Sequence, residues 1–290
     1  MDYGILIQQI INGITIGIIY GMAALGFSMV YKALGCLNFS HAETLMIGSQ
    51  LAYTFIVILK WPIPIVFLVI MLIMLAYGYL LEKLLFKHFR NVSKITFMLV
   101  SISLAGVIRN SGLLIWGPEP KSIPEIFGTE AITFYHAIIR LRNIYIFLIS
   151  ISILFLLQLF FQKTKFGLAM RIAAEDMETA GLMGVNILST RAATFAITAS
   201  LGGLAGLLVA PIFSVTLELG GALAGKIFIA AVVGGVGYLP GAVMGGLFIG
   251  LLETMSAGFV STGYRDVIVF SIGIIILVFR PLGLFRSARS

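Results

Sequence analysis

The sequence has few charged residues and almost no cysteine. Only 11% of its 290 residues are Asp, Glu, Lys or Arg, against about 25% in ordinary globular domains. The single cysteine, Cys36, excludes an internal disulfide and a cysteine-based metal cluster. The sequence contains no nucleophile elbow, no paired catalytic carboxylates and no dinucleotide fingerprint. We therefore do not expect this chain to be an enzyme.

Apolar residues and glycine make up most of what is present. Hydrophobic residues account for 60% of the chain, and there are 32 glycines. One soluble core of this size cannot bury so much apolar surface, whereas a bilayer is itself an apolar solvent. Glycine also lets membrane helices approach closely. We predict an all-α fold, a polytopic transmembrane helical bundle formed by a single domain over residues 1–290.

Apolar runs of about 20 residues predict the membrane spans. The N-terminus lacks the basic region of a cleaved signal peptide, so the first run is expected to stay as a helix. The clear runs are 13–31, 42–60, 62–81, 95–115, 143–161, 191–211 and 265–280.

The stretch 222–258 is harder to divide. It predicts a short helix to about Val236, a turn at 237–241 and a further span to about 258, with Pro240 ending the first piece. The chain then has eight full spans and one broken or re-entrant helix, or nine spans if the short piece crosses.

Basic residues predict the orientation. One set of loops and the C-terminal tail carry 12 of the 19 Lys and Arg residues, among them Arg90, Arg286 and Arg289, and the other loops carry six. Positive residues favour the cytoplasmic side, so the C-terminus is predicted inside and the N-terminus outside, provided that 222–237 crosses. The basic residues form no continuous tract, which argues against nucleic-acid binding.

Glycines repeat at helical spacing. Gly13, Gly17 and Gly21 share one face of the first span, and such a face predicts close helix packing. Lining of a transport path is the alternative for the same residues.

One apparent phosphate-binding motif is rejected. Residues 220–226 read G-G-A-L-A-G-K, but Ile227 replaces the required Ser or Thr and no strand precedes the segment. If transport is driven by ATP, the ATPase must be another chain, and no cofactor is expected in this one.

The longest loop on the predicted cytoplasmic side, at about 163–190, has features of a short docking helix. Glu175, Asp176 and Glu178 suit the positive start of a helix. Met177, Ala180, Gly181 and Gly184 fall on one face, and Gly184 can also cap the helix. A helix this short needs a partner or the membrane surface to stabilise it, although a plain connector remains an alternative.

Polar residues at span boundaries and within spans are the remaining candidates. Asn38, Ser40, His41 and Glu43 lie close together in the sequence. Four roles are open for them: they could satisfy the polar groups of a broken helix, shape a gate, bind a metal or relay protons. Arg109 and Glu253 are charges inside spans, and such charges should face protein or water. We predict that they help to hold the bundle, and we consider a direct pair between them.

Three segments resemble the branched-chain amino acid permease family of ABC importers. They are G-C-L-N-F-S-H-A-E-T-L-M-I-G at 35–48, A-A-E-D-M-E-T-A-G-L-M-G-V-N at 173–186 and A-A-V-V-G-G-V-G-Y-L-P-G-A-V-M-G-G at 230–246. Ser40, Ala42 and Tyr238 depart from the family pattern, and the resemblance extends from about residue 8 to 284.

The resemblance implies a role for each segment. The segment from Glu175 to Asn186 would dock against the ATPase and couple ATP use to the spans. Its residues are Glu175, Asp176, Met177, Glu178, Ala180, Gly181, Met183, Gly184 and Asn186. The other two segments would supply a broken helix or gate. Their candidate residues are Asn38, Ser40, His41, Glu43, Gly234, Gly235, Gly237, Pro240 and Gly241.

The resemblance also implies partners and a substrate. These are two ATP-binding subunits that hold ATP and magnesium, a second permease subunit, homologous or identical, and an external solute-binding protein, all at a bacterial inner membrane. Branched-chain or other hydrophobic amino acids are the implied cargo. Urea, short amides or another small solute are alternatives, as is an ion-coupled secondary transporter.

Overall fold

The computed structural model describes residues 3–89, 92–125, 128, 130–134, 137–280 and 282–285. Arg90, Arg286 and Arg289, used above for orientation, lie outside the described residues. Within them the chain forms eleven α-helices and one hairpin. The helices are α1 Tyr3–Leu34, α2 Glu43–Tyr53, α3 Ile63–Leu84, α4 Lys94–Trp116, α5 Leu141–Lys163, α6 Lys165–Glu175, α7 Met177–Leu182, α8 Ile187–Val209, α9 Leu219–Gly234, α10 Leu239–Phe259 and α11 Arg265–Phe279.

Shorter elements connect them. A 3-10 turn, Phe39–Ala42, leads into α2, a π-helical turn, Thr54–Ile58, extends α2, and a second 3-10 turn, Phe86–Phe89, follows α3. Strands β1, Ala131–Phe134, and β2, Ala137–Arg140, pair antiparallel with Ala131 opposite Arg140. This hairpin is absent from the sequence-based prediction.

Six of the described helices, α1, α3, α4, α5, α8 and α10, are long and apolar enough to cross a membrane. The runs 42–60 and 265–280, predicted as full spans, form shorter helices than these six. Including its π-turn, α2 covers Glu43–Ile58, and α11 has 15 residues. Each is about 22–24 Å long, short of a hydrocarbon core of about 30 Å. The shortfall at α2 arises because the chain folds as a 3-10 turn before Glu43.

Contacts define two ends of the bundle. At the hairpin end, the Ile138 amide of β2 donates to Gln8 Oε1 at 2.8 Å, and Thr254 Oγ1 of α10 donates to the Gln9 carbonyl at 2.9 Å. At the other end, called the coupling end because it holds the predicted coupling segment, the last turns of α1 share a small cavity with Met170 and Arg171 of α6. The Leu284 amide donates to the Val233 carbonyl at the end of α9, so the start of α1 and Leu284 lie at opposite ends of the bundle.

Glycine faces hold the centre together, as predicted for Gly13, Gly17 and Gly21. All three face α10, and a Cβ on Gly17 would lie 2.8 Å from Leu247 Cα. Gly250 packs directly against Gly17 in return. Because the obstructing atoms are backbone, no side chain can move aside to admit a larger residue. Helices α1 and α8 are largely buried in this core, whereas α4 and α5 expose most of their surface.

Candidate functional site

The first candidate region is a helix break in the interior of the bundle. Helix α1 ends at Gly35, whose φ of 65° is the left-handed conformation that favours glycine. The chain then turns back inward, and His41 Nε2 lies 2.9 Å from the Ala23 carbonyl. Ala23 is eleven residues before the end of α1, about 16 Å along the helix axis. Helix α2 therefore starts deep within the bundle.

Side chains satisfy the polar groups of this break. Asn38 Oδ1 accepts from the Ser40 amide at 3.1 Å and from Ser40 Oγ at 2.7 Å, and Thr44 Oγ1 donates to the His41 carbonyl at 2.6 Å. Asn38, Ser40, His41 and Glu43 are all buried. His41 and Glu43 engage different partners, so they do not converge on one metal or proton path. These hydrogen bonds are consistent with a broken helix whose polar groups are largely satisfied; this role and a gating role both stay predictions.

The glycine-rich turn between α9 and α10 is the second break. Helix α9 ends at Gly234 because Gly235 adopts φ 99°, and Gly237 follows with φ 82°. Gly234 and Gly241 bring the two helices into backbone contact. The prediction that Pro240 ends the first helix is wrong, since Pro240 lies in the first turn of α10, where a missing amide leaves no bond unmade.

Helix α9 connects the interior to the coupling end. Near its start, a Cβ on Gly220 would lie 2.8 Å from the Ala42 carbonyl oxygen, level with the break before α2. Its other end meets the start of α10. The segment therefore runs onward through the bundle and does not return to the hairpin end from which it comes.

Arg109 and Glu253 belong to two separate clusters of charged residues. Arg109 of α4 bonds to Glu43 at 2.7 Å and to Glu218 at 3.2 Å. Glu253 of α10 bonds to Lys226 of α9 at 2.7 Å and accepts from Tyr20 Oη at 2.9 Å. The predicted Arg109–Glu253 pair is wrong. Each of the two has an opposite charge on a neighbouring helix: Arg109 pairs with Glu43 of α2, and Glu253 pairs with Lys226 of α9.

The P-loop-like segment is also explained by these contacts. Gly220 to Lys226 lie within α9 and form no loop, and the Lys226 ammonium is turned into the bundle toward Glu253. That lysine is therefore not positioned to bind a phosphate.

The predicted coupling loop, at about 163–190, contains two short helices, α6 and α7, and the coupling segment Glu175 to Asn186 is built around α7. Asp176 separates α6 from α7 and accepts at Oδ1 from the Glu178 and Thr179 amides, at 2.9 and 3.1 Å. The Thr179 hydroxyl also donates to the Asp176 carboxylate. This bond contributes most, and the amide bonds add to it, in lowering the pKa of Asp176. Glu175 is the last residue of α6 and lies two residues before α7 begins.

The end of α7 leaves two apolar side chains in the open. Gly184, with φ 82°, closes the helix as predicted, and Asn186 caps the following helix α8. Ala180 is buried against the protein, while Leu182 is 86% and Met183 68% exposed. The predicted apolar face is therefore divided. Ala180 and Met177 face the protein, whereas Gly181 is exposed beside the apolar tip formed by Leu182 and Met183.

Comparison with known proteins decides the family. The chain matches, over residues 9–278, the family described as branched-chain amino acid transport system, permease component. The chain belongs to this permease family. It is 33% identical to the high-affinity branched-chain amino acid transport system permease protein BraD of Pseudomonas aeruginosa, with 96% of this chain and 95% of BraD covered. It is 32% identical to LivH of Escherichia coli K12, with 96% and 94% covered. No solved structure matches the chain.

This permease is thus a multi-pass membrane protein that works within a transport system and is not itself an enzyme. Sequence reasoning missed Lys226 and Glu218 as members of the charge clusters. From the sequence, Lys226 is assigned to the phosphate-like motif and to the six basic residues of the other loops, and Glu218 falls just outside an apolar run. A signal was available for both: a charge beside or within a span needs a partner of opposite sign.

Proposed function

We propose that this permease imports branched-chain or other hydrophobic amino acids as one of two membrane-spanning subunits of an ATP-driven importer. The second permease subunit is a homologue or an identical copy, two separate subunits bind ATP and magnesium, and an external binding protein delivers the substrate. The observation that carries the proposal is near full-length similarity to BraD and LivH, whose names give that substrate class.

The coupling segment supports the ATPase partnership. Leu182 and Met183 expose apolar surface at the tip of a short capped helix, beside the exposed acidic residues Glu175 and Glu178. Helices of this length need an external contact to be stable. Binding in a groove of the ATPase supplies that contact. Met177, Ile187 and Arg191 line one small cavity between α7 and α8, so a movement of α7 would be transmitted to α8.

The proposed orientation places the coupling end in the cytoplasm. The described basic residues Lys83, Lys87, Lys163, Lys165 and Arg171 lie in or next to loops at this end, as the positive-inside rule favours. The N-terminus is then external, and the hairpin end faces the binding protein.

Reconstitution tests the function. Proteoliposomes that contain both permeases, the ATPases and external binding protein should accumulate leucine only when ATP is inside. Uptake that persists without ATP, or that follows an imposed ion gradient, contradicts the proposal and favours an ion-coupled transporter. Competition with urea and acetamide tests the alternative substrates: strong inhibition of leucine uptake would favour a permease for short amides.

A further inference from the structure

Arg109 on α4 contacts two carboxylates of very different exposure. Its Nη2 lies 2.7 Å from Glu43 Oε1, and the Glu43 side chain is only 2% exposed. Its Nη1 lies 3.2 Å from Glu218 Oε2, and the Glu218 side chain is 74% exposed. The first contact anchors the guanidinium in the protein. The second is longer and open to solvent, so it can be exchanged.

The backbone around this triad is shaped for it. A Cβ on Gly221 would lie 2.5 Å from Arg109 Nη2, and one on Gly220 would lie 2.7 Å from Glu43 Oε2. Any larger residue at either position would displace a charged group. Glu218 precedes α9 without capping it through its side chain, so its carboxylate has no structural duty at the helix start.

Two polar atoms of the triad have no hydrogen-bond partner within the described part of the chain. They are Glu43 Oε2 and Arg109 Nε, both buried. An unsatisfied buried acceptor or donor normally costs about 1–3 kcal/mol. Such atoms beside an exchangeable ion pair are typical of a site that is completed by a ligand or by water.

The location of the triad is that of a path and not of a lipid contact. Arg109 is seven residues before Trp116, about 10 Å from the hairpin end of α4. Ser103, Gly106 and Asn110 continue along the same helix at spacings of three and four residues, and all are exposed. Exposure of a charge to lipid costs about 2.5–3.5 kcal/mol. This face of α4 must therefore meet water or another protein.

We propose that Arg109 and Glu218 form a transient binding site for the head group of a zwitterionic α-amino acid. The substrate carboxylate replaces Glu218 on the Arg109 guanidinium, and Glu218 turns to accept from the substrate ammonium. The inference rests on the proposed import function and locates an early contact on the path from the hairpin end.

The charges favour a zwitterion over other small solutes. The exchangeable half of the triad presents one positive and one negative group 3.2 Å apart, which matches the adjacent carboxylate and ammonium of an amino acid. A plain carboxylate would leave Glu218 without its cation, and a plain amine would leave Arg109 paired only with Glu43. Urea and short amides carry neither charge, so they could replace neither partner of the Arg109–Glu218 ion pair.

The test measures weak binding directly and compares two ligands. The complete complex of permeases and ATPases, in nanodiscs without binding protein, is titrated with leucine by ligand-observed NMR. The second ligand is 4-methylpentanoate, which is leucine without its amino group. The variants are Glu218→Gln, the conservative Glu218→Asp, and Glu119→Gln as control, because Glu119 is an exposed glutamate in the loop that follows α4.

We expect Glu218→Gln to weaken leucine binding about tenfold because the substrate ammonium loses its acceptor. Binding of 4-methylpentanoate should not weaken and should rise if anything, because the glutamine no longer competes for Arg109. Glu218→Asp should recover leucine binding in part, and Glu119→Gln should show none of these changes. Equal loss for both ligands, no loss for either, or no binding of leucine by the wild type overturns the site. Uptake measured in parallel separates the two proposals. If ATP-driven uptake is absent but Glu218→Gln still weakens leucine binding selectively, only the import function is contradicted. If uptake is normal and Glu218→Gln binds leucine as the wild type does, only the site is contradicted.

Discussion

Lys226 of α9 and Glu253 of α10 form a 2.7 Å ion pair in which the side chains are only 4% and 3% exposed. Tyr20 of α1 donates its hydroxyl to the other carboxylate oxygen of Glu253. Three helices therefore meet at one buried carboxylate. This cluster lies next to the glycine contacts between α1 and α10, so charge pairing and close packing specify the same helix arrangement.

Removal of one partner of this pair should destabilise the fold strongly. Lys226→Met removes the ammonium from Glu253, whose remaining cation Arg265 is 3.8 Å away, and from Asp266, which Lys226 contacts at 2.8 Å. Loss of one partner of a buried pair costs about 3–5 kcal/mol. The double variant Lys226→Met with Glu253→Leu removes both charges and should recover much of that stability. Thermal unfolding of the purified permease measures both, with Lys87→Met, an exposed loop lysine, as control. A single variant that unfolds at the same temperature as the control contradicts the pair's role.

The glycine face predicts a second stability effect. Gly17→Ala places a methyl group 2.8 Å from Leu247 Cα, where only helix separation can relieve the clash, and overpacking of this kind costs about 1–3 kcal/mol. Gly106→Ala is the matched control, since nothing lies within 4 Å of its added carbon. That change should be neutral or stabilising by up to about 1 kcal/mol. Similar unfolding temperatures for the two variants would disprove the packing argument.

The exposed tip of α7 predicts a functional effect without a folding defect. Leu182→Glu puts a charge on a side chain that is 86% exposed, so the permease itself should fold normally. If the ATPase covers this tip, co-purification of the ATPase and ATP-driven leucine uptake should each fall at least about tenfold, as for a charge at an interface centre. Val260→Glu, at the hairpin end and 67% exposed, should retain the ATPase. Loss in both variants would point to a general defect.

The lowered pKa of Asp176 predicts how the coupling segment depends on pH. Its hydrogen bonds to Thr179 and Glu178 lower its pKa in the folded state. A lowered carboxyl pKa contributes stability above the unfolded value, about 3.9, and that stability is lost as pH falls through the folded value. Amide exchange at Glu178 and Thr179 should therefore not vary in protection between pH 7 and 5. Asp176→Ala should raise exchange severalfold at neutral pH, whereas Asp176→Asn, which keeps an acceptor, should not.

Hydropathy predicted where helices are, but not how they pair. The runs 95–115 and 143–161 became α4 and α5 almost unchanged because each is a continuous apolar segment. Gly13, Gly17 and Gly21 were recognised from local spacing alone. The partner considered for Arg109 was wrong. The free-energy cost of a buried charge implies that an opposite charge lies nearby, but it does not indicate which helix carries that charge. Local hydropathy likewise did not reveal that α2 begins inside the bundle, where His41 meets α1.

Labelling from the two sides of the membrane tests the proposed orientation. In a Cys36→Ala background, Glu119→Cys in the loop after α4 at the hairpin end should react with an impermeant maleimide added to intact cells. Glu178→Cys at the coupling end should react only after the membrane is permeabilised. Both glutamates are exposed, so accessibility to solvent does not differ between the sites. The start of α1 and Leu284 lie at opposite ends of the bundle, which makes a tag at each terminus an independent check. Reversed labelling would place α7 outside the cell, where no ATPase could reach Leu182 and Met183, and would contradict the import function as well as the orientation.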